Sequence, residues 1–226
     1  MAVWLAASLL GFLFPLIAQA GSCPDVSEES HHQLLFENQG ARVFALNLPR
    51  LSTASYCLTH QYLYIVAGPG RTSITIDDHA PMSYDWNGPE ARFVYLPKQR
   101  SVRNETGQPH RELVVELLRE VAYDPLTGGY DGDLFPADLG GAKPTWTVSF
   151  SRGPLSAYKV QLAPGAEFRV NSAMHVLLAI TDLDLRTPDN TRFQMSAQDV
   201  KVLPANSGFK LVNNAQSSAK FIVLEF

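Results

Sequence analysis

The sequence predicts an all-β chain made of two tandem units of similar design, and three observations predict it. Short β-rich runs broken by Pro, Gly, Asn and Asp recur throughout, and almost nothing repeats at helical spacing over the ten or more residues a helix needs. Two stretches, Arg42 to Leu118 and Leu155 to Phe226, read as one unit written twice. The first opens Arg-Val-Phe-Ala-Leu-Asn-Leu-Pro and closes Glu-Leu-Val-Val-Glu; the second opens Ala-Tyr-Lys-Val-Gln-Leu-Ala-Pro and closes Lys-Phe-Ile-Val-Leu-Glu. Finally, 226 residues, of which 46% are hydrophobic and 18% charged, suffice for two small fused cores.

In chain order, Met1 to Ala20 is an apolar run closing on Ala18-Gln19-Ala20, a small-x-small cleavage signal, before polar Gly-Ser-Cys-Pro-Asp. That reads as a secretory signal peptide over residues 1–20, although the first Lys or Arg is Arg42, so a basic n-region is missing. The implied location is secreted or periplasmic, with no membrane span left after cleavage. An uncleaved membrane anchor is the rival reading, because the run approaches the roughly 18 to 20 apolar residues that spanning requires; Pro15 and the small residues at its end favour cleavage. A third reading is lipid attachment at Cys23, since Ala-Gly-Ser-Cys faintly resembles a bacterial lipobox without its usual Leu. Cys23 and Cys57 are the two cysteines; in an exported chain they permit a disulfide or remain two thiols, and a thiolate metal cluster is implausible.

The first unit, residues 21–122, carries runs at Val43 to Leu48, Tyr62 to Val66, Thr72 to Ile76, Ala91 to Leu96 and Glu112 to Leu118. Residues 123–146 form a linker: Tyr123 to Pro144 holds four Asp, five Gly and three Pro. Asp131-Gly-Asp133 lacks the longer ligand series ending in Glu that a calcium loop needs. The second unit, residues 147–226, carries runs at Ala157 to Leu162, Val176 to Ile180, Arg192 to Met195, Val200 to Leu203, Phe209 to Val212 and Lys220 to Phe226. A net charge of -4 without a Lys/Arg cluster excludes a nucleic-acid partner.

Leu203-Pro204-Ala-Asn206-Ser-Gly-Phe209-Lys-Leu-Val-Asn213 resembles the second cupin motif in its Pro and Asn, with Asn206 where Gly is usual and Phe209 where His is usual. His31-His32 through Phe44, Gln61 to Ile65 and Val102 to Glu116 are similar to exported bacterial cupin-domain proteins. Together the two halves resemble a bicupin, which implies two tandem double-stranded β-helix, or jelly-roll, barrels. Metal-binding cupins converge an H-x-H pair, a Glu and a third His inside the barrel. Here Tyr56 and Leu58 take the H-x-H positions, Gln61 the next polar one and Arg100 the place nearest the last His. In the second unit Val170 to Ala173 has no His, and Phe209 fills the last site. Three nitrogen or oxygen donors are a practical minimum for an open catalytic site. The resemblance therefore implies no metal and no cofactor of the usual cupin kind.

The candidate ligand-binding residues are Tyr56, His60, Gln61 and Arg100, a polar pocket in which Arg would suit a carboxylate or other small anion. The alternative is structural: Arg100 paired with a surface acid and His60 satisfied in a loop. His175 stands as the counterpart of Gln61 and reads as a packed residue. His31 and His32 do not chelate together, because strand neighbours face opposite ways, and their recurrence in the resemblance speaks for a docking role. No nucleophile motif or glycosidase-like carboxylate pair stands out; Gly68-Pro-Gly70 reads as a turn, and Asn104-Glu-Thr106 is a glycosylation sequon by pattern. The function expected is a metal-free bicupin-like protein of binding or structural role. The alternatives are a metal-dependent isomerase or dioxygenase with an unorthodox site using His60, Gln61 and His79 or His110, and a protein-interaction module. Cupins often pair through outer sheets and swapped N-terminal strands, so a homodimer through Gln33 to Asn38 belongs with the last.

Overall fold

The computed structural model describes residues 23–95, 99–119, 145–152, 155–169, 173–187, 190–205 and 210–226. The signal-like run, most of the linker, Val170 with its two following residues, and Asn206 and Phe209 lie outside them. Every regular element among the described residues is a strand. The first unit runs β1 (His32–Glu37), β2 (Ala41–Leu48), β3 (Thr53–Cys57), β4 (Tyr62–Val66), β5 (Gly70–Ile76), β6 (Met82–Trp86), β7 (Glu90–Val94), β8 (Gln99–Asn104) and β9 (His110–Leu117). The second repeats the order: β10 (Thr145–Arg152), β11 (Leu155–Leu162), β12 (Glu167–Arg169), β13 (His175–Ala179), β14 (Leu183–Arg186), β15 (Arg192–Met195), β16 (Val200–Leu203), β17 (Lys210–Asn213) and β18 (Ala219–Glu225).

Each unit is a jelly roll of two facing antiparallel sheets. In the first, β1-β2-β9-β4-β7 faces β3-β8-β5-β6; in the second, β10-β11-β18-β13-β16 faces β12-β17-β14-β15. The two halves share one connectivity strand for strand.

Alternation along the strands of the five-stranded sheets sorts their residues into two rows. In β4, Tyr62, Tyr64 and Val66 face the interior of the first unit with Phe44, Leu46, Leu48 and Val114. Leu63 and Ile65 face outward, into a layer shared with Val43, Leu113, Val115, Val176, Leu178, Ile222 and Leu224. The two five-stranded sheets therefore pack back to back, and their central strands are buried on both faces, which is why Tyr62–Val66 and the stretch from Val176 to Ala179 read as unbroken apolar runs. The second interior is built, among the described residues, mainly from apolar side chains, with Val160, Leu177, Leu185, Leu211, Phe221 and Val223 in its core.

One Asn closes each unit at the same place. Asn104 at the end of β8 donates through Nδ2 to the carbonyls of Leu48 (3.2 Å), Pro49 (3.1 Å) and Gln108 (2.7 Å), and accepts at Oδ1 from the Thr106 N–H. Asn213 at the end of β17 donates to Leu162 (2.9 Å) and Ser217 (2.8 Å) and accepts from the Ala215 N–H. Asn104 is fully buried, so the acceptor side chain of its sequon does not face solvent although Glu105 is exposed.

Cys23 and Cys57 form a disulfide across 34 residues of sequence. It ties the segment before β1 to the end of β3, where Asp25 makes a parallel bridge to Cys57. Val26 from that segment is buried in the first interior.

Candidate functional site

The inward row of β9 carries His110, Glu112, Val114 and Glu116, so one strand places two carboxylates on the inside of the first unit. They are four residues apart, or about 13 Å along an extended strand. Each organises a separate cluster.

At Glu112 the cluster is buried. Arg100, inward on β8, donates from Nη1 to Glu112 Oε2 (2.7 Å) and from Nη2 to Oε1 (3.3 Å), a two-pronged pairing that matches guanidinium to carboxylate. The same Nη1 donates to the Tyr56 hydroxyl at 2.6 Å, and His110 Nε2 donates to Glu112 Oε1 at 2.8 Å. The guanidinium carbon lies 4.2 Å from the Tyr64 ring centroid. Arg100 and Glu112 are 1% and 2% exposed, which makes this an interior ion pair. Burial pushes the Glu112 carboxyl up, but the Arg100 charge and the His110 hydrogen bond outweigh it and bring it down to about 2. Glu112 thus stays ionised and accepts every bond it makes. Burial pushes the Tyr56 and Tyr64 hydroxyls far up and the Tyr62 hydroxyl to about 12.

His32 reaches this cluster from β1. Its ring meets Tyr56 edge-on at 4.4 Å, its Nδ1 pairs with Glu29 Oε2 at 2.7 Å, and its Nε2 is buried without a hydrogen-bond partner. Burial lowers its pKa against the opposing pull of Glu29. His31 Nδ1 also meets Glu29, through Oε1 at 2.7 Å. The expectation that the two imidazoles diverge is corrected here, because His31 lies in the turn before β1 and strand alternation does not apply to it.

At Glu116, Arg42 donates through Nε to Oε2 (2.9 Å) and through Nη2 to the same oxygen. Oε1 accepts from the Thr59 and His60 N–H groups (3.1 and 3.2 Å) and faces His60 Nδ1 at 3.0 Å. Asp25 meets the far side of Arg42 at 3.3 Å.

The four candidate residues accordingly do not share one pocket. Tyr56 and Arg100 are joined by a hydrogen bond and Arg100 points inward, but its acid is the interior Glu112 and not a surface carboxylate. His60, with its side chain 42% exposed, belongs to the Glu116 cluster. Gln61 immediately precedes β4, in the outward row of Leu63 and Ile65, and its carbonyl accepts the Leu117 N–H at 2.8 Å. Of the remaining histidines, His79 sits at an exposed turn against the Ile76 carbonyl, while His110 belongs to the Glu112 cluster. His175 is the counterpart of Tyr62 and not of Gln61: Tyr62 pairs with Glu116, and His175 with Glu225 at the matching position of β18. It is buried, as expected of a packed residue, with Nε2 3.6 Å from Glu225 and a pKa lowered by burial.

These interior residues do not fit a divalent metal. Both Glu112 oxygens and His110 Nε2 are committed to one another and to Arg100, the tyrosines hold their protons, and a fixed cation sits 2.7 Å from the one carboxylate of the cluster. Among the described residues no three His, Cys, Asp or Glu side chains converge as metal ligands. The residues missed by sequence reasoning are Glu112 and Tyr64, while His110 was named for the alternative enzyme site and His32 as one of an adjacent pair; the parity of Glu112 and Glu116 with Val114 was the signal available.

No family model and no curated protein sequence matches the chain. Solved structures do. A cupin 2 conserved barrel domain protein from Leptotrichia buccalis is 10% identical, with a TM-score of 0.61 over 86% of this chain and 87% of its own. AerE from Microcystis aeruginosa is 10% identical, with a TM-score of 0.58 over 87% and 92%. A salicylate 1,2-dioxygenase from Pseudoaminobacter salicylatoxidans is 11% identical, with a TM-score of 0.58 over 89% and 75%. At such identities the likeness shows the fold and nothing finer.

Proposed function

We propose, from the premise that this chain has the cupin fold, that it is an exported, metal-free bicupin whose role is binding or structural and not catalytic. The observation that carries this reading is the buried Arg100–Glu112 pair with Tyr56 and His110 attached. A permanent guanidinium stands at the position nearest the last metal-binding His of the motif, and it consumes the carboxylate that a metal would need. An arginine is protonated at any working pH, so a divalent ion entering here would meet a cation that cannot be discharged.

A small polar or anionic guest fits the first interior better than a metal does. His32 Nε2, the Tyr62 hydroxyl and Arg92 Nε are buried there without hydrogen-bond partners, and such atoms are the ones a guest or ordered water satisfies. The second interior, with Ala219, Phe221 and Val223 at the positions matching His110, Glu112 and Val114, has a structural role. Export is supported by the leader-like N-terminus and by a disulfide suited to an oxidising compartment.

Metal content per chain, read by plasma mass spectrometry on untagged protein, tests the proposal. Folded protein with far less than one metal per chain, unchanged by His110→Ala, is the expected result. Near-stoichiometric metal that His110→Ala or Glu112→Gln removes would overturn it and direct attention to isomerase or oxygen-dependent chemistry.

A further inference from the structure

A crevice of about 190 Å³ opens where the two units meet, on the outward side of the first unit's five-stranded sheet. Its floor comes from β1, β2 and β9, and its roof from the turn at residues 196–200 of the second unit. Neither unit forms it alone. A volume of this size suits a small guest.

The lining has three kinds of group. Leu35, Ala45, Leu113, Leu178 and Val200 give apolar walls. Gln33, Asn47 and Gln198 bring three carboxamides, each able to donate and accept. Arg111 and Asp199 supply one charge of each sign. Their separation of 3.6 Å is longer than the roughly 2.7–2.9 Å of a committed charge-assisted hydrogen bond, and both side chains are close to half exposed. The Arg111 guanidinium also lies 3.5 Å from the Gln198 carbonyl. This is a loose pair, in contrast to the tight one at Arg100.

The roof is held in an unusual backbone. Gln198 has a φ of +69°, in the left-handed region that costs a non-glycine residue energy, and its N–H is fixed to the Ala179 carbonyl at 2.8 Å. Its carboxamide occupies the space where a Cβ on residue 68 would lie, 2.5 Å away, so Gly68 makes room for that side chain from the opposite unit.

We propose that this crevice binds a small zwitterion, an α-amino acid with a short side chain. Its carboxylate meets Arg111, its ammonium meets Asp199, the carboxamides complete the hydrogen bonding, and the apolar walls take the side chain. A ligand carrying both charges parts the loose pair while leaving each member satisfied. A ligand with one charge strands the other partner. Glu112 also lines the crevice, but its carboxylate is committed to Arg100 and His110 on the inward face of β9, so the metal measurement above neither supports nor weakens the proposal.

Titration calorimetry on the purified protein with glycine, alanine, serine and valine, and with propionate and ethylamine as single-charge relatives of alanine, tests the proposal. Binding of at least one amino acid is expected, with both relatives weaker by about tenfold or more. Arg111→Met and Asp199→Asn should each weaken it by a similar factor without loss of the thermal transition, and Gly68→Ala should weaken it by displacing the Gln198 carboxamide. No heat of binding from any of the four amino acids overturns the proposal, and so does propionate or ethylamine binding as tightly as alanine. The comparison of ligands on the unaltered protein decides the matter even if a variant fails to fold.

Discussion

Arg100 is committed to a buried ion pair, and the energetic sign of that pair depends on what replaces it. Removing one member of a buried pair leaves the other charged in a low-dielectric interior, a loss of about 3–5 kcal/mol, whereas replacing both with apolar groups of similar volume is often neutral or stabilising. Arg100→Met alone should therefore lower the unfolding free energy by roughly that amount. The double variant Arg100→Met with Glu112→Leu should recover most of it, as read by urea denaturation. Equal losses in the single and double variants would show that packing and not charge dominates the site. Glu112 also sets an acid limit. Its carboxyl titrates near 2 in the folded chain against an ordinary 4.5, so between those values the unfolded chain binds the extra proton and stability rises with pH. The contribution, up to about 3 kcal/mol, is complete above about pH 4.5 and disappears as pH falls through about 2. Denaturation midpoints across that range should fall for the unaltered protein and be flatter for the double variant.

At the scale of the element, the segment from Cys23 to β1 acts as one strap: a disulfide at its start, Asp25 on Arg42, Val26 in the interior, and Glu29 holding His31 and His32. Opening the disulfide frees the first of these anchors and should cost about 2–4 kcal/mol. Cys57→Ser is expected to raise amide exchange in residues 23–32 first, and uniform exchange across the first unit would contradict the strap. Elements also show what the sequence made legible. Tyr62–Val66, Arg192–Met195 and Val200–Leu203 match their apolar or alternating runs to the residue. Thr53–Cys57, Met82–Trp86 and Gln99–Asn104 are missed because their strands belong to the four-stranded sheet, with one face toward solvent and few apolar residues in sequence. The site was half legible for a related reason. Tyr56 and Arg100 stand out through the motif positions they fill, while Glu112 hides in a run whose Leu113, Val114 and Val115 announce a core strand, and pairing between β2 and β9 is needed to show which way it faces.

The whole molecule is held by the layer between the two five-stranded sheets. Ala41, Val43, Leu63, Ile65 and Val115 of one unit meet Val176, Leu178, Ile222 and Leu224 of the other, and Phe36 contacts Phe226 with ring centroids 5.5 Å apart. Each unit alone would expose this face, so the pair is expected to unfold in one transition. Ile222→Ala, in the middle of the layer, should cost about 2–5 kcal/mol and lower a single melting temperature. Two separated calorimetric transitions would instead mark the units as independent.

The buried amide of Asn104 has a consequence for how the protein is made. Its sequon, Asn104-Glu-Thr106, is accessible to a glycan-transferring enzyme only while the chain is still unfolded, since the folded side chain is spent on three backbone carbonyls. A sugar attached during passage through a eukaryotic secretory pathway would occupy the nitrogen that closes the first jelly roll. Production in such a host should therefore divide the product into unmodified folded protein and modified chains that never complete the unit, a split that intact-mass analysis of the soluble and insoluble fractions would reveal.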